Sequence, residues 1–309
     1  MDKVMVIAGP TASGKTDLAV ELALMVNGEI ISADSMQIYR GMNIGTAKPA
    51  IEERRGIPHY LLDIVNPDET YSVAQFKDDA LACINDIIKR GKTPIVAGGT
   101  GLYINSLVYN ITFSETIADW EYREELKKMA EEQGPLVLHE RLQKIDPKSA
   151  EAIHPNNTKR IIRALEVYKT TGIPISEHKD GSRRVPPSYE FLIYGLQVER
   201  EKLYQRIDQR VDKMMVKGLY DEVEELLKCG YSPKLPSLQG IGYKELISTI
   251  EGKCALSEAI DSIKTNTRRF AKRQITWFNK TEGLVWLEYS DANTWAILKL
   301  LADALNNEH

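Results

Sequence analysis

Short apolar runs alternate with amphipathic stretches through the first third of the chain, then give way to helical patterns alone. Residues 3–8 (KVMVIA), bounded by Gly9 and Pro10, predict a buried strand. After the glycine motif that follows, DLAVELALMV carries apolar residues at helical spacing. EIISADS predicts a second strand ending near Asp34, and LLDIV at 61–65 a third. In YSVAQFKDDALACINDIIKRG, Val73, Phe76, Ala80, Ile84, Ile87 and Ile88 share one helical face, and Gly91 stops the helix. TPIVAGG predicts another buried strand, entered at Pro94 and ended by Gly98 and Gly99. Such alternation predicts a parallel sheet covered on both faces.

The pattern changes near residue 113. From Trp120 to about Thr171 the chain reads as consecutive helices, broken at Gly134-Pro135 and His154-Pro155. A Pro- and Ser-rich loop, GSRRVPPS, follows. EFLIYGLQV at 190–198 then reads as a strand returning to the parent sheet, and the rest as mostly helical. The expected organisation is an α/β core of residues 1–113 and 190–309 with an all-helical insertion at 114–189.

With 309 residues, 43% of them hydrophobic, the chain can bury more than one core. No apolar run approaches the roughly 18–20 residues that span a bilayer, so no membrane partner is expected. The N-terminus runs directly into the glycine motif and reads as a strand, not a signal peptide. Cys83, Cys229 and Cys254 are far apart, which suggests neither a zinc ribbon nor a disulfide framework and fits a reducing cytoplasm. The net charge of −4 is patterned: Lys264–Lys280 holds six Lys or Arg and no acid, and Thr158–Arg184 holds seven against three acids.

Gly9-Pro10-Thr11-Ala12-Ser13-Gly14-Lys15-Thr16 matches GxxxxGK[ST] in full, between a predicted strand and a predicted helix. Backbone N–H groups of such a loop make an anion nest, and the following helix adds its positive dipole end. Gly14 lets backbone approach phosphate, Lys15 supplies a charge, and Thr16 is a candidate Mg²⁺ ligand. The motif specifies a phosphorylated ligand without saying which. An ATP-dependent kinase or NTPase would want an acid closing an apolar strand, yet TPIVAGG ends in Gly-Gly-Thr, and Asp63 lies inside its run. Asp34 is the best-placed carboxylate; it and Thr100 are expected to face the loop from neighbouring strand ends. A turn or cap role for Asp34 is the alternative.

GPTASGKT, DSMQIYRGMNIGTAKP at 34–49, GGTGLY at 98–103, IHPNNTKRIIRALEVY at 153–168, LPSLQGIGYKE at 235–245 and RRFAKRQITWF at 268–278 together resemble the tRNA dimethylallyltransferases. The resemblance runs in order over nearly the whole chain. Lacking a C-terminal Cys/His finger, the chain is similar to the compact bacterial type. The fold implied is α/β, a P-loop NTPase-like parallel sheet core with an inserted all-helical domain. The activity implied is transfer of a dimethylallyl group from dimethylallyl diphosphate to N6 of adenosine 37 beside the tRNA anticodon, with Mg²⁺, tRNA and the prenyl diphosphate as cofactor and partners and the protein a monomer. The resemblance makes Asp34 the general base. It sets Thr100 near the bond that breaks and gives Arg210, with Arg206 one turn earlier as competitor, the diphosphate. A carboxylate suits this reaction, because the exocyclic amine of adenine is a poor nucleophile until its proton is removed. The other readings are a small-molecule kinase and a non-catalytic nucleotide switch that binds RNA.

A target base must leave its stack to enter a buried site. The resemblance assigns RNA contacts to Asp34, Ser35, Met36 and Gln37, to Thr100 and Arg123, to Lys159, Arg160, Ile161, Ile162 and Arg163, and to Gln239, Gly240, Ile241, Gly242, Tyr243 and Lys244. Arg268/Lys272 and Arg269/Arg273 form basic i,i+4 pairs, read as phosphate contacts in preference to a solvated face. Tyr39, Tyr103 and Trp277 could stack on bases, although core packing is the commoner role. No zinc-deaminase or metalloprotease pattern involves the five histidines.

Overall fold

The computed structural model describes residues 1–111, 119–177 and 186–307. Six strands form one all-parallel sheet: β1 (Lys3–Ala8), β2 (Gly28–Ser32), β3 (His59–Tyr60), β4 (Thr93–Gly98), β5 (Glu190–Gln197) and β6 (Val285–Glu288), in the order β3-β2-β4-β1-β5-β6. Strand β1 lies between β4 and β5, with Ala8 opposite both Gly98 and Gly195. Side chains alternate across it. Val4, Val6 and Ala8 enter one core with α2 (Val73–Lys89), α3 (Gly101–Val108) and Phe278. Met5 and Ile7 enter the opposite core with α1 (Lys15–Met25) and the last helix. Helix α2 starts where Ser72 and Gln75 form a reciprocal capping box.

One strand expectation needs correction. The third strand is not 61–65: Leu61 and Asp63 take φ of 61° and 55°, outside extended geometry. The strand is His59–Tyr60, one step earlier, and Val65 keeps a single bridge to Tyr39. The final third is mostly helical, as expected, and β6 adds an edge strand beside β5 that was not expected. At four residues it is too short for alternation to stand out.

The chain divides into two compact units, Met1–Val108 with Ser188–His309, and Tyr109–Pro187. The expected insertion edge at 114 and most of the GSRRVPPS loop lie outside the described residues. The first unit continues after β5 with α8 (Arg200–Val216), α9 (Leu219–Lys228), α10 (Tyr243–Ile250), α11 (Leu256–Phe278) and α12 (Thr294–Asn306); numbers α4 to α7 belong to the second unit. Helices α8 to α11 share a third core with Ile38, Tyr39 and Met42 of the β2–β3 loop. The second unit contains α4 (Trp120–Gln133), α5 (Pro135–Ile145), α6 (Pro147–Ala152) and α7 (Thr158–Thr171) around Leu126, Leu138, Leu142, Ile161 and Leu165. No helix among the described residues is long and apolar enough to cross a membrane.

One buried charge anchors the sheet. Glu29 on β2, 1% exposed, accepts two hydrogen bonds from Arg90 (2.7 and 2.6 Å), one from Lys92 (2.6 Å) and one from Tyr60 (2.8 Å). The Arg90 bonds, against the cost of burial, hold its carboxyl at about 2, below the ordinary 4.5. A depressed carboxyl contributes stability that is present above its unfolded pKa and lost as pH falls toward the folded one. Denaturant melts should therefore weaken between about pH 5 and 2. Glu29→Gln should remove that acid dependence and cost about 1.5–3 kcal/mol at neutral pH, the range for hydrogen bonds to a charged group.

Candidate active site

The loop after β1 closes around positive backbone. Gly9, Ala12 and Gly14 have φ of 143°, 63° and 90°, and α1 begins at Lys15, directly behind the loop. Lys15 Nζ donates to the Pro10 carbonyl (2.6 Å). Burial first, then repulsion from Arg210, lowers the Lys15 ammonium to about 7, with Asp34 opposing. Burial also lowers Arg210, against the pull of Asp34, Asp17 and Glu53. Ser13 is fully buried and its hydroxyl has no partner among the described residues, so what it can offer an anion is its backbone N–H.

The ends of β2 and β4 meet beside this loop. Gly98 has no alternative here: a Cβ would sit 2.2 Å from the Ala33 carbonyl oxygen. That approach brings Thr100 and Asp34 together. Thr100 Oγ1 accepts from the Ser35 N–H (3.0 Å), and the Thr100 N–H donates to the Ala33 carbonyl (3.1 Å). Asp34 Oδ1 accepts from the Met36 and Gln37 N–H groups (2.9 and 3.4 Å). The turn role of Asp34 thus coexists with a place in the cavity, and its Oδ2 has no hydrogen bond among the described residues. Gln37 is locked by Ser32 Oγ (3.1 Å) and by the carbonyls of Thr46 and Ala47 (3.3 and 3.2 Å).

A cavity of about 460 Å³ is lined by Thr11, Lys15, Thr16, Asp34 to Gln37, Thr100, Arg210 and Gln239 to Lys244. Its other walls are largely apolar, with Ile207, Val211, Met214, Leu219, Ile263 and Phe270. A second cavity, about 810 Å³, carries Arg206, Lys213, Lys217 and Arg54. The two share Lys15, Thr16, Ala47, Arg210 and Met214, so they meet at the anion nest. Arg210 lines both cavities, whereas Arg206 lines only the larger.

Other expected contacts belong to the second unit or are otherwise engaged. Ile161 and Ile162 are 0% and 5% exposed in the core of the second unit, so their side chains cannot meet RNA; α7 needs apolar residues on that face. Arg123 is bidentate to the fully buried Glu166 (2.8 and 2.9 Å), which also accepts from Arg163 (2.7 Å). Lys159 and Arg160 are exposed. Among the basic pairs, Arg268 binds both oxygens of Asp208 (2.8 Å each) and is not a free phosphate contact. Tyr39 and Tyr103 are core residues, Tyr103 stacked on Phe76 at 4.0 Å, while Trp277 remains partly exposed.

Two positions went unread in the sequence. Gln274 on α11 accepts from the Thr11 N–H (2.9 Å) and donates to the Gly99 carbonyl (2.9 Å), bridging the phosphate loop to the loop that carries Thr100. It lies inside RRFAKRQITWF, a stretch read only for its cations. Lys48 is almost wholly buried and donates to Asp63 Oδ1 (2.5 Å), the Tyr39 carbonyl and Asn43. Its signal was an acid inside an apolar run, at Asp63.

A model of the IPP transferase family matches residues 37–281. The chain belongs to the IPP transferase family. It is 58% identical over 287 residues to the tRNA dimethylallyltransferase of Acetivibrio thermocellus, which covers 93% of this chain and 92% of that one. It is 52% identical to the corresponding enzyme of Pelotomaculum thermopropionicum, with 93% and 91% covered. Among solved structures, the tRNA isopentenylpyrophosphate transferase of Bacillus halodurans superposes with a TM-score of 0.74 at 44% identity, covering 99% of this chain and 97% of that one. A eukaryotic dimethylallyltransferase solved acting on tRNA gives 0.81 at 34% identity, covering 96% and 76%. These relatives share the P-loop NTPase-like arrangement of the sheet described above.

The lowered Lys15 makes a prediction for this IPP transferase. An anion in the nest restores the ammonium, so binding takes up a proton wherever the free site is deprotonated. Calorimetry of dimethylallyl diphosphate at pH 8, in two buffers of different ionisation enthalpy, should show net proton uptake, because most of the Lys15 amine is neutral above a pKa of about 7. Lys15→Met should abolish the uptake. Affinity should be flat below pH 7 and decline above it.

Proposed function

We propose that this chain transfers the dimethylallyl group of dimethylallyl diphosphate to N6 of adenosine 37 in tRNA and releases diphosphate. One observation carries the reading: a single cavity of about 460 Å³ joins an anion nest, a carboxylate with a disengaged oxygen and an apolar wall. The named activities of the relatives agree with it.

In this reading the Gly9–Thr16 amides, Lys15 and Arg210 hold the diphosphate and stabilise the charge that develops as it leaves. Departure breaks the bond from allylic carbon to oxygen, and the N6 lone pair forms the new carbon–nitrogen bond. Asp34 takes the N6 proton, a step of the kind that contributes about 10²–10⁴-fold. Thr100, tied to Ser35, borders the reacting carbon. Mg²⁺ keeps several waters and asks for few protein oxygens. Thr16 fits that demand, and the described residues contain no group of three His, Cys, Asp or Glu that would hold a metal without phosphate. When bound, the ion would neutralise diphosphate oxygens. RNA contacts fall to Ser35, Met36, Gln37 and the Gln239–Lys244 segment at the cavity, and to Lys159, Arg160 and Arg163 on α7. We infer a cytoplasmic location, where tRNA is the substrate.

Incubation with labelled dimethylallyl diphosphate and unmodified tRNA should move label into RNA without ATP. Absence of transfer, or transfer of a γ-phosphoryl group from ATP instead, rejects the reading. Asp34→Ala should lower kcat by about 10²–10⁴-fold while diphosphate affinity changes little. Equal losses in both would remove the general-base role.

A further inference from the structure

The β2–β3 loop forms a wall of both cavities without regular structure of its own, so something outside it must fix its path. That anchor is Glu222 on α9. Its carboxylate accepts three consecutive backbone N–H groups, from Asn43 (2.8 Å), Ile44 (2.7 Å) and Gly45 (3.1 Å). The loop has made an anion nest, and the protein fills it with its own carboxylate. A fourth bond comes from the buried Tyr243 hydroxyl (2.7 Å). Tyr243 belongs to the 239–244 segment on the opposite wall, and it packs so closely on Gly45 that a Cβ there would lie 2.6 Å from its ring. Downstream of the nest, the carbonyls of Thr46 and Ala47 receive the Gln37 side chain, and the Gln37 N–H faces Asp34. One carboxylate thus joins two walls of the cavity and, through Gln37, the turn that holds Asp34.

We propose that Glu222 is a positioning residue for transfer: it sets the acceptor-side wall beside Asp34 without touching either substrate. The claim rests on the prenyl-transfer reading above. Its chemistry is specific to an anion, since three N–H donors and a hydroxyl converge on it. A glutamine would offer one acceptor oxygen and turn an NH₂ toward these donors. The phosphate nest, built from Gly9–Thr16, shares no hydrogen bond with Glu222.

Glu222→Gln in the full chain tests this. Inorganic pyrophosphate should bind within about twofold of wild type by calorimetry, while kcat for transfer to tRNA falls at least about tenfold, one hydrogen bond's worth of 1.4 kcal/mol. Hydrogen exchange should speed up at Asn43–Ala47 and stay unchanged at Gly9–Thr16. Wild-type kcat, or a loss of pyrophosphate affinity equal to the loss of kcat, overturns the proposal. If Glu222→Gln does not fold, Tyr243→Phe, which removes one donor, decides: a smaller fall in kcat with pyrophosphate binding intact supports the proposal, and unchanged kcat overturns it. The exchange measurement needs no turnover. If the wild type fails to prenylate tRNA, the function reading falls by itself, while unchanged protection at Asn43–Ala47 in Glu222→Gln sinks the positioning claim independently.

Discussion

Lys15 and Arg210 are two cations kept close together and away from water, with Asp34 the nearest counterweight. Such an arrangement is unfavourable without an anion: burial lowers both groups, and repulsion from Arg210 lowers Lys15 further. It becomes favourable only around an anion. The remaining features of the site can be read as holding that arrangement open and aimed. The loop dipoles need no reorganisation when charge develops, which is the physical basis of electrostatic catalysis.

What holds the loops is a set of side chains from far along the sequence. Gln274 ties the phosphate loop to the Gly99 carbonyl, and Glu222 fixes the stretch at 43–45. The N-terminal motifs supply groups that meet the reactants, and the helices after β5 supply the braces. Because β1 lies between β4 and β5, its loop is flanked on both sides by strand ends that these helices can reach.

The phosphate loop, the strand-end positions of Asp34 and Thr100 and the alternation of β1 were legible because each follows from a short local pattern. The change in periodicity after residue 113 underlies the expectation of an insertion, and the structure separates Tyr109–Pro187 as a compact unit. The third strand was misplaced because apolar content alone cannot reveal that Leu61 and Asp63 adopt left-handed backbone. β6 was missed because four residues carry too little period. Gln274 and Glu222 act through partners remote in sequence, and nothing near them announces those partners. Ile161 and Ile162 show the converse: a family motif spans a helix turn, and half of a turn faces inward.

Glu166 changes how the second unit's cations should be counted. Buried among Arg123, Arg163 and the Asp119 N–H, it already acts as their counterion. Residues neutralised in this way displace few ions from a polyanion that approaches them. A single-stranded backbone laid along α7 would release ions chiefly through Lys159 and Arg160, at about 0.7 per phosphate. If α7 meets RNA as proposed, the ionic-strength response of this helix is accordingly shallower than its tally of basic residues implies.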